Sequence, residues 1–386
     1  MISVLFVDDE QSILQGIKRV TRSMRSDWDM HFCDSGPEAL ELLRQRDIDV
    51  VVSDMRMPGM DGAELLGHVR TLHPGIARII LSGYADEESV YRSTRVAHQF
   101  LSKPCDVEEL RNTIQRIRAC RDAVQPTVIR DLVGSIGELP ALGHVYSELM
   151  MTMETDSSSS EALGVVVEKD VALTAELLRL VNSTFFGLAR EITSAAQAIS
   201  FLGLDVVRAI VVGHSLFDGE DDPIIDLNEL GHRSRVVAGL ARRSVKSNGG
   251  NAKEAAEAYL AGMLHEVGAL ALARLPDVDN DVLKAVLSSG DPTNERLEFE
   301  VDRFVAGGYL LGLWGFTSAV VDSISGLSNS VADIDTTIAR ALGVARRVTT
   351  SPIDISESLT DEQLDAILQA AEENTLFETD MEELTT

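Results

Sequence analysis

Five short apolar runs within the first 124 residues constrain the fold of this chain more than any other feature. In sequence order they are "SVLFVDD", "MHFCDS", "DVVVSD", "ARIILSG" and "HQFLSKP". Each is rich in β-strand formers and alternates with an amphipathic segment, which is the pattern of βα units around a parallel sheet. Such sheets collect the carboxyl ends of their strands at one edge, where α/β proteins place their sites. We therefore predict a doubly wound α/β domain with a functional site at that edge.

The pattern changes after this region. From Pro126 to about Thr350, helix-length periodic segments follow one another without convincing strands, which predicts an all-α half. Ser158 and Glu161 are predicted to form a capping box at one helix start. The segment 351–386 holds eleven Asp or Glu and no Lys or Arg, so we expect a solvated or partly disordered tail, with a short helix in "DEQLDAILQAAEE". The predicted division is therefore 1–122, 123–350 and an acidic tail, 351–386.

Charge and composition limit the class of partner. The chain has 386 residues and a net charge of −28. This charge argues against direct nucleic-acid binding, which needs clustered Lys and Arg, and favours a protein partner.

No apolar run reaches the length of a membrane span, and the first residues lack the basic flank of a signal peptide. We therefore expect a cytoplasmic protein. The three cysteines, Cys33, Cys105 and Cys120, have neither disulfide nor metal spacing.

Five polar residues follow or end the predicted strands of the first half: Asp8, Asp9, Asp54, Ser82 and Lys103. Carboxylates that converge in a small pocket repel one another unless a cation joins them, and Mg²⁺ suits an all-oxygen site. With that charge offset, Asp54 is predicted to act as a nucleophile toward a phosphoryl group, assisted by the Lys103 ammonium. Ser82 is predicted to hydrogen-bond the resulting phosphate.

These motifs resemble the receiver domain of two-component response regulators over residues 1–122. The resemblance rests on the acidic pair, on Asp54 with "MPGMDG", on Ser82, on the "KP" at Lys103 and on the aromatic Phe100 three residues before that lysine. It implies a flavodoxin-like, five-stranded parallel sheet. It also implies phosphorylation of Asp54 by a histidine kinase or a phosphotransfer protein.

The same resemblance implies roles for the surrounding residues. Mg²⁺ is expected to be held by Asp9, Asp54 and the backbone carbonyl of Arg56, with Asp8 helping. Phosphorylation is expected to shift Ser82 and Phe100 together and to alter the face formed by the last two helices of the receiver.

A histidine beside a carboxylate, His265 and Glu266 in "GMLHEVGAL", marks the second half. Such a pair can share a metal that activates water. The surrounding segments, "ELPAL", "VNSTFFG" around Asn182 and Ser183, and "GYLLGLWGF", resemble the HDOD domain, a helical relative of the HD phosphohydrolases, over about residues 126–350. His265 matches the histidine of the HD dyad, whereas Glu266 stands where aspartate is usual.

The other metal positions of active HD enzymes match poorly. By our register they fall on Arg233, with His232 one residue away, on Arg303 or Phe304, and on Arg346. Arginines repel a dication, and too few ligands remain for a metal site. We therefore predict no cofactor in the HDOD domain, a buried hydrogen-bonding role for His265, and a polar partner role for Glu266 at a helix end.

The sequence thus predicts a response regulator whose receiver controls a catalytically degenerate HDOD domain that binds an unknown downstream protein or a second copy of the chain. One alternative keeps the HDOD half as a metal-dependent phosphodiesterase acting on a cyclic dinucleotide. A third treats it as a receptor that binds a nucleotide without hydrolysing it. Trp28 and Trp314 are predicted to be packing residues, and His68, His73 and His98 surface residues.

Overall fold

The structure is a computed structural model of the chain. It describes residues 1–82, 96–103, 105–124, 127–136, 145, 148–149, 152–153, 159–182, 191–202, 207, 223–276, 278–328, 336–350 and 366–369.

The N-terminal half contains a five-stranded, fully parallel sheet. Its strands are β1 (Ile2–Val7), β2 (Trp28–Cys33), β3 (Val50–Asp54), β4 (Ala77–Ser82) and β5 (Gln99–Ser102), in the order β2-β1-β3-β4-β5. The central strands β1 and β3 are almost wholly buried because helices cover both faces of the sheet. This arrangement confirms the predicted doubly wound α/β fold.

Within the described residues, four helices flank the sheet: α1 (Gln11–Val20), α2 (Gly36–Gln45), α3 (Gly62–Leu72) and α4 (Val107–Ala123). The sequence specifies two of their starts through side-chain caps. The Asp61 carboxylate accepts a hydrogen bond from the Glu64 backbone at the start of α3. Asp106 accepts from the Glu108 backbone at the start of α4. Such caps satisfy amide groups that the first turn of a helix leaves without partners.

Every regular element that the structure describes in the second half is a helix, as predicted. Its helices are α5 (Thr127–Ser135), α6 (Ser160–Val167), α7 (Val171–Val181), α8 (Ala195–Leu202), α9 (Leu227–Ser247), α10 (Ala252–Leu264), α11 (Val267–Leu272), α12 (Asn280–Ser288), α13 (Pro292–Phe299), α14 (Arg303–Leu313), α15 (Ser318–Gly326) and α16 (Thr337–Thr350). None of the described helices combines the length and apolarity that crossing a bilayer demands.

The two halves pack directly on one another. From β5, the Gln99 side-chain amide donates to the Leu313 carbonyl at the end of α14, at 2.8 Å. From β4, the Arg78 guanidinium donates to the Gly134 carbonyl in α5, at 2.7 Å. Apolar residues of α4 such as Ile117 belong to the same core as those of α14 such as Leu310. Polar and apolar contacts therefore join the sheet to the helical half.

Three sequence expectations differ from the structure. Helix α6 is capped by Ser159, whose hydroxyl accepts from the Ala162 backbone, and not by Ser158, which lies outside the described residues. Ile367 and Leu368, in the predicted short helix, are buried, so a solvated tail is wrong for these residues. His98 is only 2% exposed, because its ring accepts from the Arg78 backbone amide and contacts the Arg78 guanidinium.

Trp28 and Trp314 are both buried, as expected for packing residues.

Candidate functional site

Three carboxylates meet at the carboxyl edge of the sheet. Asp8 and Asp9 follow β1, and Asp54 ends β3. Because β1 and β3 are neighbours in register, with Val7 opposite Ser53, the two strands end at the same level. One oxygen from each of the three carboxylates lies within 4.8 Å of the others. Asp8 and Asp54 are buried, whereas Asp9 is exposed.

Lys103, just beyond β5, places its ammonium between two of these carboxylates. Its Nζ lies 2.6 Å from Asp8 Oδ2 and 2.5 Å from Asp54 Oδ1. Burial by itself lowers the pKa of Lys103, but the hydrogen bonds to Asp54 and Asp8 outweigh it and raise that pKa above its usual value. The ammonium therefore stays charged beside the candidate nucleophile.

Backbone amides hold the two buried carboxylates in place. Asp8 Oδ1 accepts from the Glu10 backbone at 2.9 Å, and Asp54 Oδ2 accepts from the Arg56 backbone at 3.1 Å. Among the described residues, the site thus has three carboxylates and one ammonium, which leaves a formal excess of two negative charges. A set of oxygen donors with this charge fits a hard divalent cation such as Mg²⁺. The metal-binding role of the Arg56 carbonyl stays a prediction.

The two switch candidates lie on the neighbouring strands. Ser82 ends β4 at the same edge, opposite Ser102 of β5, but its side chain lies outside the described residues. Phe100 pairs with Ile80 across β4 and β5 and is buried in the core on one face of the sheet. The sheet therefore brings the predicted phosphorylation residues to one edge, with Phe100 on the strand that leads to Lys103.

The His265 and Glu266 pair lies at the junction between α10 and α11. His265 ends α10 and is 1% exposed. Its Nδ1 lies 2.7 Å from the Gly262 carbonyl, to which the protonated nitrogen donates. Burial lowers the pKa of His265 below its usual value, so the ring is neutral near pH 7. The predicted burial and hydrogen bonding of His265 are confirmed.

Glu266 is paired with an arginine. Arg303 Nη1 donates to Glu266 Oε2 at 2.6 Å, and Arg303 Nε donates to Glu295 Oε1 at 2.6 Å. Burial alone raises the pKa of Glu266, but the charge of Arg303 outweighs it and lowers that pKa to about 2. Burial raises the pKa of Glu295 and outweighs the charge and hydrogen bonds of Arg303, which lower that pKa; the Glu266 charge adds a smaller rise. One guanidinium therefore lies between two buried carboxylates.

Arg233 and Arg346, which by sequence fall at other metal positions of the HD enzymes, lie near His265 and Glu266. Arg233 Nη2 is 3.8 Å from Glu266 Oε2, and His232 beside it is exposed. The Arg346 guanidinium lies 4.5 Å from the centre of the Phe304 ring.

Within the described residues, the carboxylates of the sheet edge are the only group of three or more possible metal ligands that lie close enough to share one ion.

Two sets of contacts in the helical half were not predicted from the sequence. Glu295 completes the Arg303 cluster, and no local motif marks it. Asn182, in the "VNSTFFG" string, exchanges two hydrogen bonds of 2.7 Å with the backbone of Ile192. Asn182 therefore joins α7 to the segment before α8, whereas Ser183 of the same motif lies outside the described residues.

Two family models match the chain. The response regulator receiver domain model matches residues 4–115, and the HDOD domain model matches residues 139–330. The chain therefore belongs to the response regulators in which a receiver domain precedes an HDOD domain.

Individual proteins are similar over parts of the chain. The transcriptional regulatory protein ZraR of Escherichia coli O157:H7 is 30% identical over 161 residues, which cover 41% of this chain and 36% of ZraR. The chain thus spans about a third of the length of that relative. The sensor kinase CckA of Brucella abortus (strain 2308) is 36% identical over 123 residues, covering 31% of this chain and 13% of CckA. The solved MmoQ response regulator of Methylococcus capsulatus str. Bath is 24% identical, covering 64% of this chain and 98% of that one, with a TM-score of 0.48.

Proposed function

We propose that Asp54 accepts a phosphoryl group from a histidine kinase or a phosphotransfer protein, with Mg²⁺ held by Asp8, Asp9, Asp54 and the Arg56 carbonyl. The observation that supports this function is the Lys103 ammonium at hydrogen-bonding distance from both Asp8 and Asp54. A bound Mg²⁺ would supply positive charge for the phosphoryl oxygens.

The chain's own residues have defined parts in this transfer. An Asp54 carboxylate oxygen attacks the phosphorus of the donor phosphohistidine, the P–N bond breaks, and the histidine nitrogen leaves with the bonding electron pair. Lys103 offsets charge on the transferring oxygens. Ser82 then hydrogen-bonds the new phosphate, and Phe100 changes position with it.

We propose further that the HDOD domain acts by binding a protein and not by hydrolysis. The supporting observation is the Arg303 guanidinium at 2.6 Å from Glu266, the residue that stands in for the HD aspartate. A cation beside this carboxylate opposes the binding of a catalytic dication. The output is then a docking surface, for a downstream protein or a second copy of the chain, that phosphorylation exposes or hides.

Phosphate uptake tests the receiver assignment. Incubation of the full chain with acetyl phosphate should give one acyl phosphate per chain, only when Mg²⁺ is present. Asp54→Asn should abolish the label, since an amide is not an equivalent nucleophile. Asp34→Asn, which changes an exposed carboxylate of the same domain, is the matched control and should label like the parent. Equal labelling of Asp54→Asn would contradict the assignment of the acceptor.

Metal content and turnover test the assignment of the HDOD domain. A hydrolase of this kind requires about one or two tightly held transition metals per chain. We expect none in the purified protein, and no hydrolysis of a cyclic dinucleotide with Mn²⁺, Fe²⁺ or Mg²⁺. Turnover that is present in the parent and lost in His265→Ala would establish the phosphodiesterase instead.

A further inference from the structure

A cavity of about 480 Å³ lies between the receiver and the HDOD domain. The described part of its wall comes from β5 and α4 on one side and from α7 and the turn after α14 on the other. This volume is within the range of sites that bind small organic molecules, roughly 300–1,000 Å³. The receiver residues Asp8, Asp9, Asp54 and Lys103 and the Glu266 cluster contribute none of its described lining, although the predicted switch residue Phe100 lies in its wall.

Buried hydrogen-bond donors without partners line this cavity. Within the described chain, Trp314 Nε1 and Arg116 Nε are buried and have no hydrogen-bond partner. Trp314 is only 4% exposed. The Arg179 guanidinium lies 4.6 Å from the centre of the Trp314 ring and also lines the cavity. Unsatisfied buried donors cost free energy, so Trp314 Nε1 and Arg116 Nε favour a ligand that brings an acceptor.

Carboxylates line the same cavity. Burial raises the pKa of Glu109, and it raises the pKa of Glu191 to about 7. The Glu257 charge also raises the pKa of Glu191, whereas Lys253 and Arg116 lower it. These carboxylates have lost water without gaining enough compensating positive charge. They therefore favour a ligand that also brings a cationic donor.

The balance of charge selects the class of ligand. The lining includes two guanidinium groups and four carboxylates, those of Asp106, Glu108, Glu109 and Glu191. A nucleotide or free phosphate would meet this acidic excess, and an anion of high charge is therefore disfavoured. A molecule with one carboxylate and one ammonium matches both kinds of group and carries no net charge. The buried rings of Trp314 and Phe316 provide an apolar wall.

We propose that this interdomain cavity binds a free amino acid with an apolar side chain. Its carboxylate pairs with Arg116 and Arg179, where a guanidinium can donate two parallel hydrogen bonds. Its ammonium pairs with Glu109 and Glu191, and its side chain packs against Trp314 and Phe316. Because both domains form the wall, the bound amino acid would strengthen their contact.

Tryptophan fluorescence tests this proposal in the full chain. The chain has two tryptophans, so Trp28→Phe leaves Trp314 as the only reporter. Titration with L-phenylalanine, L-leucine, L-isoleucine, L-valine and L-methionine should give a saturable change in emission for at least one of them. The analogues of that ligand that lack the ammonium or the carboxylate, such as 3-phenylpropionate and phenethylamine for phenylalanine, should bind at least tenfold more weakly. Calorimetry on the unmodified chain should give the same affinities.

Variants of the cavity provide the second test. Arg116→Gln and Glu191→Gln should each weaken binding at least tenfold. Arg118→Gln, on the exposed side of the same helix, and the exposed Glu298→Gln are matched controls and should bind like the parent. Thermal unfolding identifies any variant that has lost its fold, and the analogue titrations need no cavity variant. No change with any apolar amino acid, or equal binding of the single-charge analogues, would overturn the proposal.

Discussion

Arg303 is a buried arginine, 1% exposed, that joins two glutamates from different parts of the helical half. Its guanidinium donates to Glu266, to Glu295 and to the Leu287 carbonyl. Breaking a buried pair of this kind leaves an uncompensated charge, which costs about 3–5 kcal/mol. At this residue, therefore, the geometry favours a structural role.

Replacing Glu266 by Gln should alter the pH dependence of stability. The folded-state pKa of Glu266, about 2, is lower than the ordinary value of 4.5, so its ionised form contributes stability above pH 4.5 that is lost as the pH falls toward 2. This contribution is on the order of 3 kcal/mol. The raised pKa of Glu295 acts in the opposite direction. Urea unfolding of parent and variant between pH 4.5 and pH 2 measures the effect. The difference between their unfolding free energies should change over this range.

The matched control for that experiment is Glu298→Gln, on the exposed face of α13. It should keep the acid dependence of the parent. If Glu266→Gln kept it as well, the Glu266 and Arg303 pair would contribute nothing to acid stability.

Replacing His265 by Ala should affect stability and no catalytic activity. The change removes a neutral, buried ring and its hydrogen bond to the Gly262 carbonyl. Loss of that bond and a small cavity should lower the free energy of unfolding by roughly 1–3 kcal/mol. Chemical denaturation measures this loss. An unchanged midpoint would show that the ring contributes little to packing.

At the scale of elements, the Glu266 cluster depends on the close approach of α11 to α14. Gly268 lies at the contact, and a Cβ built there would be 1.8 Å from the Arg303 carbonyl oxygen and 2.5 Å from the Gly307 nitrogen. Both neighbours are backbone atoms and cannot rotate away. The absence of a side chain at Gly268 therefore permits the spacing at which Arg303 reaches Glu266.

Gly268→Ala should separate these two helices. Overpacking against backbone typically costs about 1–3 kcal/mol. The matched control is Gly239→Ala in α9, where a Cβ would meet nothing within 4 Å; this change should stabilise the chain by about 0.5–1 kcal/mol through helix propensity. Thermal unfolding of both variants measures the difference. A stable Gly268→Ala would mean that α11 and α14 can shift without penalty.

At the scale of the whole molecule, the two domains share direct contacts beyond their covalent connection. Gln99 reaches the end of α14, and the buried Arg78 reaches α5. Burial lowers the pKa of Arg78 to about 9, and its guanidinium donates to backbone carbonyls including that of Val96. A structural change in β5 can therefore be transmitted to the helical half through these contacts.

Phosphorylation should accordingly alter amide exchange in both domains. We expect changes near Phe100, in α5 and at the end of α14, because Phe100 and Gln99 are adjacent on β5 and Gln99 bonds α14. Hydrogen exchange with mass spectrometry, with and without acetyl phosphate, measures the effect. The Asp54→Asn chain treated in the same way controls for direct effects of the reagent. Changes confined to the receiver would mean that the two domains respond independently.

The sequence alone determined the five strands and the edge where their polar residues meet. The reason is local: apolar runs with alternating helical segments have one favourable packing, and its strand ends lie together. The arginines at 233, 303 and 346 were also visible as misfits in the pattern of the HD enzymes. Such information is carried by residue type and spacing, which need no coordinates.

Only the tertiary structure decided which distant groups meet. The partner of Arg303 at Glu295, the burial of His98 against Arg78, and the cavity beside Trp314 each depend on how helices from separate segments pack. No periodicity records these contacts, because a side chain's burial and charge partners are set by neighbours far away in sequence. For the same physical reason, His98 is predicted from the sequence to lie on the surface but is buried in the structure.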